Sequence, residues 1–488
     1  MSRTPSVSGL RGSAAIGVLG AVALAATVAA GQQAPDRSKP PVIGQPPALK
    51  LPPIQKRALA NGLPVWIVEM HEVPVAHISV IVKAGAGADP AGKFGLANFT
   101  AAMLDEGAGS RDALALADAV DFIGASLTTG STFDVSSVRV QTPVTKIDDA
   151  LQILADVVLH PTFPQSELDR LRKERLTRIL QTRDQPSALA SAAFARLVFG
   201  PRHRYGTPNL GNEASNSEMT AADLKAFYAS FYQPQHAHVL VVGDVTADTV
   251  MPKLERALGS WKNTSAPQKP SVTDASQHPA RQIYLLDKPG AAQSEIRIGG
   301  VGVARNTPDF FVLDVLNTVL GGSFTSRLNT NLREQHGYAY GAGSTFDMRI
   351  ATGPFIASAA VQTDKTVESL QEFFKELDGM QKPVPGDELR KAKNLETLGF
   401  PAGFETTGGM AGNLSELVIY GLPDSFFSDY IPKIQAVTAA DVERAAKQYL
   451  VKDKFAVVVV GDLAKIEKPI RDANLGPVRI VKLDEVLK

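Results

Sequence analysis

Apolar and polar positions recur with two periods along this chain, and the change of period marks its elements. From His77 to Lys83 the residues alternate, which predicts a half-buried strand. Lys56–Ala60 and Pro64–Val68 read as short strands around Asn61-Gly62, a hairpin turn signal. Leu96–Leu104 and Arg111–Phe122 follow the helical period, and Leu127–Gln141 returns to alternation over two strands. Asp148–His160 is an amphipathic helix, and Glu167–Arg183 a long, charge-laced one. Val239–Val242 and Ala456–Val460 are unbroken apolar runs stopped by Gly-Asp, the pattern of buried strands. Strands mixed with helices predict an α+β fold in which each sheet is covered by helices.

The pattern repeats. Thr220-Ala221-Ala222-Asp223 recurs as Thr438-Ala439-Ala440-Asp441, and Val241-Val242-Gly243-Asp244 as Val459-Val460-Gly461-Asp462, both 218 positions on. The same shift lays His77–Val80 on Glu295–Ile298. Pro164-Gln165-Ser166-Glu167-Leu168 matches Pro385-Gly386-Asp387-Glu388-Leu389 at 221, so small insertions compensate between anchors. An ordered set at nearly one offset predicts two homologous halves. Each Thr-Ala-Ala-Asp reads as a capping box opening a helix that ends at Tyr232 or Tyr449. The polar, proline-bearing stretch 261–281 is the expected linker, which places the halves at 55–260 and 282–488.

Composition narrows the chemistry. The chain has 488 residues, 50 basic and 50 acidic, with 44% apolar content and no cysteine. That length suits two to four domains. Disulfides, thiolate metal sites and a cysteine nucleophile are excluded, and zero net charge gives no footprint for nucleic acid. Arg3 and Arg11 precede the apolar run Ser13–Ala30, and no acid comes before Asp36. Residues 1–30 therefore read as a secretory signal peptide, cleaved after Ala30 or Gly31, leaving no stable membrane anchor. Export without cysteine suits a bacterial periplasm. Residues 31–54 are rich in proline and read as an extended arm.

One stretch carries a resemblance. Gly95-Leu96-Ala97-Asn98-Phe99-Thr100-Ala101-Ala102-Met103-Leu104, followed by Gly107, resembles the motif helix of the pitrilysin/insulinase (M16) metallopeptidases, which include the mitochondrial processing peptidases. That helix normally carries His-x-x-Glu-His. Histidines four apart share one helical face and hold zinc, and the glutamate serves the zinc-bound water. Here the three positions are Asn98, Ala101 and Ala102. None of the eight histidines falls on the helix. The third ligand, a glutamate, comes from a later helix that resembles Leu171-Arg172-Lys173-Glu174-Arg175; the best placement puts Arg172 there, and a shift offers Glu174. The donor set implies no metal in this chain.

The resemblance spans about 55–488. His203-Arg204-Tyr205-Gly206, Leu210-Gly211 and Asp223–Tyr228 look like the family's first half; Gly321-Gly322-Ser323-Phe324-Thr325-Ser326-Arg327-Leu328 and Leu332-Arg333-Glu334 look like its second. It implies two related halves, each a largely antiparallel sheet covered by helices, together forming a bowl. It also implies roles for Arg333 and Tyr340, seven apart: in M16 enzymes such a pair reaches the zinc site and donates to the substrate carbonyl as it becomes an oxyanion. Tyr338 is a rival for the tyrosine role. In two-chain bacterial members one subunit carries His-x-x-Glu-His and zinc, and the other supplies the Arg/Tyr pair. The pattern here resembles the second kind, whose partners are a zinc subunit and unfolded peptides. The alternative is an M16-fold scaffold or peptide-binding protein with no part in proteolysis. His236 and His238 form the only close histidine pair, with no third ligand nearby, and Gly321-Gly322 lacks the context of a phosphate loop.

Overall fold

The computed structural model describes residues 49–487, so the expected signal peptide and most of the proline-rich arm lie outside the described residues. In the first half β1 (Gln55–Ala58) and β2 (Pro64–Glu69) form an antiparallel pair across Asn61-Gly62, where Gly62 takes a φ of 84°. They are followed by β3 (Val75–Val82), β4 (Ser126–Ser131), β5 (Ser136–Pro143) and β6 (Ala237–Gly243). The sheet runs β1-β2-β6-β3-β5-β4. The second half supplies β7 (Gln282–Asp287), β8 (Gln293–Val301), β9 (Ala339–Phe346), β10 (Pro354–Gln362), β11 (Ala456–Gly461) and β12 (Val478–Ile480). Its order, β12-β7-β11-β8-β10-β9, repeats the first. In each sheet an equivalent inner pair, β2/β6 or β7/β11, is parallel, and β6 or β11 is antiparallel to its other neighbour. Only the outer strand differs: β1 is antiparallel to β2, and β12 is parallel to β7.

The helices that matter for the site are α1 (Leu96–Ala102), α2 (Ile147–Leu159), α3 (Gln165–Asp184) and α4 (Pro186–Phe199) in the first half. In the second they are α5 (Phe310–Leu320), α6 (Thr366–Met380), α7 (Gly386–Gly399) and α8 (Thr407–Tyr420). Both expected capping boxes form: Thr220 and Thr438 accept from the amides of Asp223 and Asp441, whose carboxylates accept in return. Such a cap contributes about 1 kcal/mol.

Each half lends a helix to the other. The apolar face of α4, with Leu189, Ala190, Ala193 and Phe194, packs on Tyr284, Leu286, Val458 and Val460 of the second sheet. Reciprocally, α8 lies against β6 and β3 of the first sheet, and Met410, Leu414 and Leu417 join Ile81, Leu240 and Val242 in one core. This explains a departure from the alternation in β3. The sequence predicts a half-buried strand, yet Ile78 through Val82 are all buried, because α8 covers the face that would otherwise meet water. The linker 261–281 holds no helix or strand but is fastened: Trp261 Nε1 donates to Tyr232 O, and His278 bonds Leu197 O.

Candidate functional site

The start of α1 is held by a buried ion pair. Asp89 accepts from Gly95 N and Ala97 N, both at 2.7 Å, which satisfies amides that a helix N-terminus leaves free. Arg204 pairs with Asp89 at 2.9 Å and also donates to Ala86 O and Thr207 O. Gly95 takes a φ of 101°, and a Cβ there would lie 2.4 Å from Leu210 O. The His-Arg-Tyr-Gly and Leu-Gly segments thus meet at the motif helix. Their sequence resemblance gave no hint that Arg204 anchors Asp89.

On α1, Asn98 is half-buried and Ala101 fully buried. The residue that reaches Asn98 from α3 is neither Arg172 nor Glu174. Arg172 donates to Met219 O and pairs with Asp169, and Glu174 sits outside against Arg170. It is Arg175, 5% exposed, whose Nη1 donates to Asn98 Oδ1 at 2.7 Å. Its Nε donates to Asn216 Oδ1 at 2.7 Å, and Nη2 to Gly95 O and Leu210 O. The guanidinium lies 4.4 Å from the Phe99 ring centroid. Burial, with nearby Arg178, pulls its pKa down to about 9, and Asp89 opposes that pull, so Arg175 stays charged at neutral pH. A helical-period signal for Arg175 was present: it falls on the stripe Leu168, Leu171, Arg175, and Leu168 and Arg175 are the buried residues of α3.

Tested against a zinc ion, this set does not fit. It offers one amide oxygen, two methyl groups and a cation that already occupies Asn98. Among the described residues no group of three His, Asp or Glu side chains is placed to hold a metal. His236 and His238 do not share a strand face. His236 lies in the turn before β6, where its Nε2 accepts from Gln268 N, and His238 packs edge-on to Trp66 with its pKa pushed down to about 4 by burial.

In the second half, Arg333 and Tyr340 are brought together. Arg333 lies on a π-helical turn, Thr330–Gln335, and its guanidinium stands 5.2 Å from the Tyr340 ring. The Phe324 ring centroid lies 4.5 Å from the same guanidinium. Tyr340 is 88% and Phe324 66% exposed. Tyr338 differs from Tyr340 in surroundings: it precedes β9, stacks on His336 at 4.9 Å and packs on the core, and the register of β9 shifts between Ala339 and Ala342. β9 pairs as a strand only with β10, and on its outer edge Ala342 N donates to Asn329 Oδ1 and Ser344 N to Gly321 O.

Comparison with known proteins bears on both halves. Residues 65–199 match the family model "Insulinase (Peptidase family M16)", and residues 218–396 match "Peptidase M16 inactive domain". The chain is 24% identical over 415 residues to an uncharacterized zinc protease of Streptomyces coelicolor, covering 84% of this chain and 90% of the relative. It is 26% identical over 417 residues to one of Mycobacterium leprae, covering 84% and 92%. Among solved structures it is similar to a peptidase M16 inactive domain from Pseudomonas fluorescens, with a TM-score of 0.78, 26% identity and coverage of 84% and 98%. A protease from Helicobacter pylori shares the fold at a TM-score of 0.79, with 22% identity and coverage of 84% and 100%.

Proposed function

Because this chain belongs to peptidase family M16, we propose that it is the zinc-less subunit of a heterodimeric M16 peptidase, exported to the periplasm. In this reading a partner subunit supplies His-x-x-Glu-His and its zinc, and this chain supplies Arg333 and Tyr340. The observation that carries it is a contrast between halves. Arg175 fills the place beside Asn98 where metal ligands would stand, while Arg333 stays beside Tyr340, whose side chain is open to solvent. The guanidinium and the phenol are hydrogen-bond donors. They would bind a peptide carbonyl and strengthen their hold as negative charge gathers on its oxygen.

The test is reconstitution. Co-purification of the native complex should yield a chain bearing His-x-x-Glu-His, and that complex should hydrolyse unfolded peptides. Arg333→Ala should lower its kcat by about 10²–10³-fold while the metal content stays constant. Stoichiometric zinc in this chain alone, or an Arg333→Ala complex with unchanged turnover, would contradict the reading.

A further inference from the structure

The Arg333/Tyr340 pair is built on two backbone irregularities, and two further residues, Phe324 and Asn329, adjoin it. Phe324 comes from the loop after α5, Arg333 from a π-helical turn, and Tyr340 from the stretch of β9 whose register slips. Extra residues in helices and strands re-aim side chains and recur at functional sites. Here all three side chains converge: the guanidinium is within cation–π distance of the rings of Phe324 and Tyr340, both mostly open to solvent.

Asn329 links the pieces. It is 4% exposed, and its Nδ2 donates to Phe324 O while its Oδ1 accepts from Ala342 N at 3.1 Å. One amide thus bonds the loop that carries Phe324 to the strand that carries Tyr340, at the point where the strand register resumes. Contact with the two rings restricts the guanidinium. The ion pair of Arg333 with exposed Glu334, at 3.3 Å, is too solvated to hold it alone.

We infer that Phe324 and Asn329 are positioning residues for Arg333 and Tyr340: the Phe324 ring sets the plane of the guanidinium, and Asn329 clamps the loop to the strand so that both donors face the same carbonyl. This rests on the proposed function, and orientation of such donors is worth more than their mere presence.

Two experiments test it. In the isolated full-length chain, the Phe324 ring current should shift the Arg333 side-chain protons upfield in NMR. Phe324→Ala and Asn329→Ala should both remove that shift, with the melting temperature of Phe324→Ala unchanged because its ring is largely exposed. In the assembled peptidase, assayed on an internally quenched decapeptide, Phe324→Ala and Asn329→Ala should lower kcat about tenfold with KM within about twofold. Phe324→Tyr should restore kcat, because the ring over the cation returns. The inference is overturned if the NMR shift survives Asn329→Ala. It is also overturned if Arg333→Ala lowers kcat while Phe324→Ala and Asn329→Ala match the wild type. Unchanged turnover in Arg333→Ala, with the NMR result intact, would instead overturn the parent reading.

Discussion

Arg175 shows how one side chain can settle the character of a site. A buried guanidinium without a bonded carboxylate is costly unless its donors are filled, and here two asparagine oxygens and two carbonyls fill them. Arg175→Ala should therefore destabilise the chain by about 2–4 kcal/mol, since it empties the pocket and leaves Asn98 and Asn216 without their donor. Urea unfolding measures this, and a loss below about 0.5 kcal/mol would mean that the arginine is dispensable. That Asn98, Ala101 and Ala102 stand where the motif of the family has His, Glu and His was legible in the sequence, because they keep its spacing within a recognisable frame. The partner of Asn98 was not. Sequence matching pointed to Arg172 or Glu174, and only the helical stripe through Leu168 could have singled out Arg175. Tyr338 was likewise indistinguishable from Tyr340 in the sequence; the stacking of Tyr338 on His336 and the exposure of Tyr340 separate them.

At the level of elements, the two halves use the same pair of helices with opposite charge. The repeat offset of 221 that lays Pro164 on Pro385 also lays Arg175 on Glu396. In the first half α1 and α3 are joined by Arg175 and Asn98. In the second, α5 and α7 are joined by Thr318 donating to Glu396, and by Tyr430 in contact with both Asp314 and Glu396. Burial, and then the neighbouring Glu396, push the Asp314 carboxyl up from 3.8 to about 6. A carboxyl whose pKa is raised by folding binds more protons in the folded state. Its effect is a loss of stability as pH rises from about 4 to about 6, not a gain. Asp314→Asn should flatten that part of the stability curve in urea titrations at several pH values; an unchanged slope would show that Asp314 titrates normally. Element types were mostly readable from period and caps, as the boxes at Thr220 and Thr438 illustrate. The exposure of β3 was misread, because its second face is covered by a helix from 330 residues further along the chain.

For the whole molecule, the two-half organisation followed from the repeated anchors at 218, and the two sheets carry that repetition into space with one strand order. The reciprocal placement of α4 and α8 did not follow, since a repeat reveals likeness between halves and says nothing about which helix covers which sheet. Yet that exchange has a consequence for how the chain behaves when cut. Residues 262–269 are exposed, and the Lys262–Asn263 bond among them is one that trypsin can cut. Trypsin nicking there should leave two polypeptides that still elute as one particle, and that part only in denaturant. Independent elution of the fragments in native buffer would show that the peptide connection, not the exchanged helices, keeps them together. If they stay together, the continuity of the backbone is dispensable once folding is complete. The molecule is then a dovetail joint, and it should reassemble when its two pieces are expressed as separate chains.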